Sequence, residues 1–201
     1  MREIVFASTN PAKVLQISGA LKGVANVTGV PNVAKLPEVK EDGKTASENA
    51  RKKALTYASH LNKTVMSMDN ALYIDGLPPE EQPGLTVRTP FGTNHRLSDD
   101  EMIKYYSGLV ARLGGVARVS WDFAVCVATP TGTVEETVIK QFAKFTRSPC
   151  VERLAGYPLD SLLINPFTGK YVAQETPKER AEFWEKTMGL QLKQFIEKLE
   201  I

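Results

Sequence analysis

Acidic residues stand at both ends of one helical stretch: Glu41 and Asp42 lie in a polar approach closed by Gly43, and Asp69 follows a short apolar run over 64–68. A fold that returns the second end to the first would gather carboxylates around one point, which is how a hard cation is held. Mg²⁺ takes oxygen ligands, keeps several waters and needs only one or two carboxylates when substrate phosphates complete its shell, so Glu41 and Asp69 would suffice. The same acids would also serve as solvated loop charge. A second group sits near the N-terminus, where Ser8, Thr9 and Asn10 follow the apolar run Ile4 to Ala7, Pro11 suits the first helical position and Lys13 stands one turn in. Unpaired backbone N–H groups and the helix dipole at such a turn favour an anion, and Lys13 adds a full charge, so a polyphosphate would fit there.

These groups need elements to hold them. The spacing of Ala50, Ala54, Leu55, Ala58 and Leu61 predicts an amphipathic helix from about Ser47 to Leu61, capped by Thr45 or Ser47, with Arg51, Lys52 and Lys53 facing outward or toward a ligand. A strand is expected over Thr64 to Met68, with Asp69 where it stops. Ile4 to Ala7 reads as a buried strand, Val14, Leu15, Ile17 and Leu21 continue it as a helix, and 24–30 reads as another strand before a proline-containing loop over 31–42. Three prolines and two glycines make GLPPEEQPG an irregular loop. Ser98 with Glu101 three residues on is a capping box for a helix through Met102, Ile103, Tyr106, Leu109, Val110 and Leu113. Alternation through Val119, Trp121, Phe123, Val125 and Val127, a Pro-Thr-Gly turn and a second β-rich run predict a long hairpin. LAGYPLDSLLINPFTGK is a loop leading into a short strand. Thr176, Pro177 and Glu179 then open a helix, and an amphipathic helix through Leu192, Phe195, Ile196 and Leu199 ends the chain. Early alternation of strands and helices with a late hairpin indicates an α/β fold with a mixed central sheet flanked by helices. A single elongated domain over 1–201 is expected, with room for two lobes around a central cleft.

Composition narrows the function classes. The chain has 201 residues, 42% hydrophobic and 24% charged, and a formal net charge of +2, too small to argue for nucleic acid or an anionic membrane as partner. Cys126 and Cys150 lack metal-ligand spacing and suit a reduced compartment. With no leader-like N-terminus and no bilayer-length apolar run, a cytoplasmic location is expected. Glu38 and Ile164 stand where a phosphate-binding P-loop needs glycine before Gly43-Lys44 and Gly169-Lys170, and no Gly-x-Gly dinucleotide fingerprint occurs. His60 and His95 are the only histidines and lie far apart, which disfavours zinc sites and a Ser-His-Asp relay.

Taken together, FASTNPAK after the first strand, EDG with TASENARKKA, and MDNALYID resemble the inosine/xanthosine triphosphate pyrophosphatase family, house-cleaning enzymes that hydrolyse non-canonical purine nucleoside triphosphates to the monophosphate and pyrophosphate. Thr9, Asn10 and Lys13 match the family's phosphate turn; Glu41, Gly43, Thr45, Glu48, Asn49 and Ala50 match its acidic approach and helix; Asp69 matches the acid after its central strand. The resemblance implies a nucleoside triphosphate substrate, Mg²⁺ as cofactor on Glu41 and Asp69, Asp69 as the catalytic acid that orients or deprotonates water, and a homodimer. Ser8, Thr9, Asn10, Lys13, Lys53 and Asn70 would then contact substrate. It covers the first third of the chain most closely. Later, Gly156, Tyr157 and Asp160 match a base-positioning segment in which Leu159 replaces an aromatic, and Arg180 falls at a basic position. The family's Ser-His-Arg, which reads the purine carbonyls, becomes Trp184, Glu185 and Lys186, and MDNAL lacks the second acid of the bacterial Asp-Asp-Ser-Gly pattern. The phosphate and metal end is intact in type while the base end, with Tyr157, Asp160, Arg180 and Lys186 as its contacts, departs. A nucleotide-binding module without catalysis, a pyrophosphatase for a modified or pyrimidine nucleotide, and an interaction protein with surface acids are the competing classes.

Overall fold

Runs rich in apolar and β-branched residues, bounded by turn residues, become the sheet, and segments with helical spacing and polar caps become the helices. The computed structural model describes residues 1–31 and 36–200; of the loop expected over 31–42, residues 32–35 lie outside them. In chain order the elements are β1 (Arg2–Phe6), α1 (Pro11–Ala20), β2 (Ala25–Gly29), α2 (Ala46–Leu61), β3 (Val65–Ile74), α3 (Asp99–Arg112), β4 (Val116–Ala128), β5 (Val134–Thr146), β6 (Leu163–Ile164), α4 (Pro177–Trp184) and α5 (Leu190–Glu197). The sheet has six strands in the order β2-β1-β3-β4-β5-β6, and it is mixed: β1 runs parallel to β2 and β3, while β5 and β6 are antiparallel. The expected mixed α/β architecture with flanking helices is therefore the one observed.

The chain divides into two compact units, the first comprising Met1–Asn70, Asp122–Lys140 and Trp184–Ile201, the second Ala71–Trp121 and Gln141–Phe183. In the first, β1 is buried on both faces, with Ile4, Val5 and Phe6 at most 4% exposed, as a parallel strand covered by crossover helices requires. Helix α2 begins at Thr45, whose hydroxyl accepts the Glu48 N–H at 3.1 Å, and ends at Asn62 in the left-handed conformation, φ 50°. Its inner face is small: Ala46, Ala50, Ala54 and Ala58 are buried, whereas Leu55 and Leu61 of the expected stripe are only partly covered. Small residues let the helix lie close, and the Ser67 hydroxyl on β3 donates to the Ala50 carbonyl.

One boundary differs. β3 does not stop at Met68 but continues to Ile74, so Asp69 lies inside the strand. Its register with β1 covers Val5–Val65 and Phe6–Met66, and the Ala7 N–H reaches the Met66 carbonyl at 2.8 Å. Beyond that β1 has ended and β3 goes on with one side uncovered by it, which accommodates polar Asp69 and Asn70 within an otherwise apolar strand.

In the second unit, α3 carries the expected capping box: the Ser98 hydroxyl accepts the Glu101 N–H at 3.3 Å and Glu101 accepts the Ser98 N–H at 2.8 Å. Tyr106, fully buried on its apolar face, donates its hydroxyl to the Val87 carbonyl at 2.8 Å and meets Phe145 edge-on at 6.4 Å. Among the described residues no helix is long and apolar enough to cross a membrane. Replacing Ser98 with Ala removes the cap acceptor and is expected to cost about 1 kcal/mol of stability, read as a lower denaturant midpoint with an unchanged slope.

Candidate functional site

Three segments of the first unit converge at the carboxyl end of β1. The first is the β1–α1 turn. Its Ser8 N–H bonds the Phe6 carbonyl at 2.8 Å, the Asn10 N–H bonds the Ser8 hydroxyl at 3.2 Å, and the Asn10 carbonyl accepts the Val14 N–H at 3.1 Å, so Asn10 caps α1 through its backbone. Thr9 and Lys13 are exposed beside it. Because Phe6 pairs with Met66 in parallel register, the turn that follows β1 and the Asp69 stretch of β3 both lie beyond the paired residues, toward the same sheet end. Ligand crevices of open α/β sheets form there.

The second segment is the 41–44 strap, fastened to α2 by four contacts. The Gly43 N–H donates to Asn49 Oδ1 at 2.8 Å and the Lys44 N–H to Glu48 Oε2 at 2.7 Å; Asp42 pairs with Lys52 and Glu41 with Lys53. The Lys52 ammonium holds the Asp42 carboxyl below the usual carboxylate range. Gly43 is obligatory by proximity, since a Cβ there would lie 2.6 Å from Asn49 Oδ1 and 2.8 Å from the Glu48 Cβ. The third segment is β3. Asp69 Oδ2 accepts Asn49 Nδ2 at 2.9 Å and its Oδ1 accepts the Asn70 N–H at 2.9 Å. Asn49, 3% exposed, thus touches both the strap that carries Glu41 and the strand that carries Asp69.

The basic triplet of α2 is more engaged than its outward spacing suggests. Arg51 grips Glu136 on β5 through both carboxylate oxygens, and Lys52 and Lys53 turn back onto the strap. Their partners lie outside the helix, on the strap just before it and on a strand far along the chain, which helix periodicity cannot reveal. Asn49, which the sequence singled out only as part of the motif resemblance, has a role that its burial reveals.

Among the described residues no cluster of three or more His, Cys, Asp or Glu side chains could hold a metal by itself. Glu41 and Asp69 supply only carboxylate oxygens, a donor set that fits a hard cation whose shell water and phosphate complete and does not fit zinc. Both cysteines are buried, and burial pushes the Cys126 thiol up to about 12 and raises that of Cys150, which disfavours the thiolate form at either.

The base-side candidates Tyr157, Asp160 and Arg180 belong to the second unit. Tyr157 precedes the short Pro158–Ser161 helical turn that carries Asp160, and burial pushes its hydroxyl up to about 12. Asp160 is 8% exposed, and burial pushes its carboxyl up to about 7, against the opposing charge of Arg180 and with the added repulsion of Glu175. The Arg180 guanidinium donates to the Glu175 carbonyl. Glu175 is 3% exposed: Oε1 accepts Asn165 Nδ2 and the Thr168 hydroxyl, both at 2.7 Å, while Oε2 is buried with no hydrogen-bond partner among the described residues. Trp184, Glu185 and Lys186 belong to the first unit, and a π turn, Glu185–Gly189, joins α4 to α5. Glu185 Oε1 accepts Lys193 Nζ at 2.6 Å, Trp184 meets Phe123 edge-on at 6.1 Å, and Lys186 is exposed.

Comparison with known proteins adds the following. A profile of the Ham1 family matches residues 4–190. The chain is 28% identical over 199 residues to a dITP/XTP pyrophosphatase of Geobacillus kaustophilus, covering 94% of this chain and 91% of that one. It is 29% identical over 192 residues to a dITP/XTP pyrophosphatase of Listeria monocytogenes, covering 90% and 86%. Among solved structures, the Ham1 protein of Staphylococcus aureus superposes with a TM-score of 0.72 at 23% identity over 98% of both chains, and a HAM1 protein of Coxiella burnetii with 0.72 at 20% over 96% and 98%.

The Asp160 environment has a measurable consequence. Its carboxyl titrates higher in the folded chain than in the unfolded one, so the folded state holds the extra proton between about pH 4 and 7, and stability falls as pH rises through that window. Asp160→Asn is expected to flatten this dependence and gain on the order of a few kcal/mol at pH 8, where wild type buries the charge. Denaturant melts at pH 4, 6 and 8 check it.

Proposed function

The chain belongs to the Ham1 family, and on that footing we propose that it is a Mg²⁺-dependent nucleoside-triphosphate pyrophosphatase acting on non-canonical purine nucleotides such as dITP and XTP, the substrates for which its relatives are named. The observation that carries the reading is the joining of Asp69 to the Glu41 strap through Asn49, at the sheet end where the β1–α1 turn opens.

In this reading Ser8, Thr9 and Asn10 present the turn's hydroxyls and amides to the triphosphate, and Lys13 offsets charge on its outer phosphates. Asn70 stands with them as a substrate contact. Glu41 and Asp69 would hold Mg²⁺, which supplies neutralisation of the phosphate oxygens and of the leaving pyrophosphate. Asp69 orients a water and takes its proton as the water oxygen bonds to the α-phosphorus; the α–β bridging bond breaks and its electron pair leaves with pyrophosphate. Lys53, which pairs with Glu41, would add positive charge for the same phosphates. Separately, Tyr157, Asp160, Arg180 and Lys186 are assigned to base contacts. Glu185, which by resemblance falls where the family reads purine carbonyls and which here pairs with Lys193, supports a modified or pyrimidine base as the second reading. A cytoplasmic house-cleaning role and a homodimer complete the proposal; light scattering reads the dimer.

Pyrophosphate release should be screened across dITP, XTP, the common triphosphates and modified pyrimidine triphosphates, with Mg²⁺ and with chelator. Release that needs Mg²⁺ and favours dITP or XTP is expected, and release from none of them would remove the assignment. Asp69→Asn should lower kcat by orders of magnitude while leaving the melting temperature near wild type. Lys13→Ala should raise KM for the triphosphate by about 10-fold or more, the loss of one charge-assisted contact, and leave monophosphate inhibition nearly unchanged.

A further inference from the structure

Building on the pyrophosphatase reading, we propose that Asn49 is a positioning residue of the reaction: its side-chain amide sets the orientation of the Asp69 carboxylate and fixes the Glu41 strap against it. Asn49 is 3% exposed on a helix face otherwise made of alanine, where a polar side chain is costly unless both ends are satisfied. Both ends are, and by groups of the site: Oδ1 accepts the Gly43 N–H at 2.8 Å and Nδ2 donates to Asp69 Oδ2 at 2.9 Å.

The Asn70 N–H takes the other Asp69 oxygen at 2.9 Å, so the carboxylate is held at both oxygens and cannot rotate about its own axis without losing a bond. Each oxygen keeps a further lone pair for water or a cation. A role limited to joining helix α2 to strand β3 would be redundant, because the Ser67 hydroxyl already makes that joint at Ala50. Nor can another residue at position 43 preserve the arrangement, since a Cβ there falls 2.6 Å from Asn49 Oδ1. A primary amide supplies an acceptor and a donor on one short side chain. Asp in its place keeps the acceptor and loses the donor; Ala loses both.

The test compares wild type, Asn49→Asp and Asn49→Ala for melting temperature, kcat and KM on the best nucleotide of the panel, with hydrogen exchange of the Gly43 amide read by NMR. In both variants kcat should fall about 10- to 100-fold, as for groups that orient a metal-binding carboxylate, with KM within about 2-fold. The Gly43 amide should stay protected in Asn49→Asp and lose protection in Asn49→Ala. A kcat within about 2-fold of wild type in either folded variant overturns the inference, as does a loss confined to melting temperature. If Asn49→Ala does not fold, the nearly isosteric Asn49→Asp decides the matter alone. Wild type that releases pyrophosphate while the variants match it sinks only the role of Asn49; wild type that releases none sinks the pyrophosphatase reading with it.

Discussion

The two hydrogen bonds of one buried amide, Asn49 to the Gly43 N–H and to the Asp69 carboxylate, are the constraint on which the rest of the first unit's polar end depends. Everything around them is arranged so that this amide can be buried. The alanines of α2 bring the helix close enough for a short side chain to reach β3, and the absence of a side chain at Gly43 brings the strap within hydrogen-bonding distance. Thr45 starts the helix at a point that leaves Asn49 on its inner face. Lost hydrogen bonds at such a position cost more than exposed ones, because the Asn49 amide left behind is buried.

The outer ion pairs of the same strap act differently. Glu41–Lys53 and Asp42–Lys52 involve side chains that are mostly between one-fifth and two-thirds exposed, so solvent and salt weaken them and their exchange for other partners is cheap. A rigid inner clip with exchangeable outer charges suits a place where a highly charged ligand must enter: the frame stays and the counter-ions swap.

Much of this was legible in the sequence because local rules governed it. The α2 helix and its Thr45 cap, the Ser98–Glu101 capping box, the β4–β5 hairpin and the strand-turn-helix at Ser8 to Lys13 all follow from periodicity and end chemistry. What escaped was decided by partners remote in the chain. Asp69 sits within β3 rather than after it because β1 ends first, and no local signal reports where a neighbouring strand stops. Arg51 found a partner on β5 that only tertiary proximity supplies, and the motif that contains Asn49 did not say that its amide joins Gly43 to Asp69. At the base end, substitution was visible but its meaning was not, since the engagement of Glu185 by Lys193 depends on the turn that joins α4 to α5.

That π turn has a bearing on how the end of the chain is phased. A π turn spreads its backbone bonds over one more residue than an α turn. Past it, every side chain is rotated about 100° from where an unbroken helix would put it, so the buried stripe of Leu192, Ile196 and Leu199 keeps a phase of its own. At the last residue of the turn, Gly189, a Cβ would press within 2.4 Å of Glu185 Oε2, so a larger residue there would disturb the carboxylate that Lys193 holds.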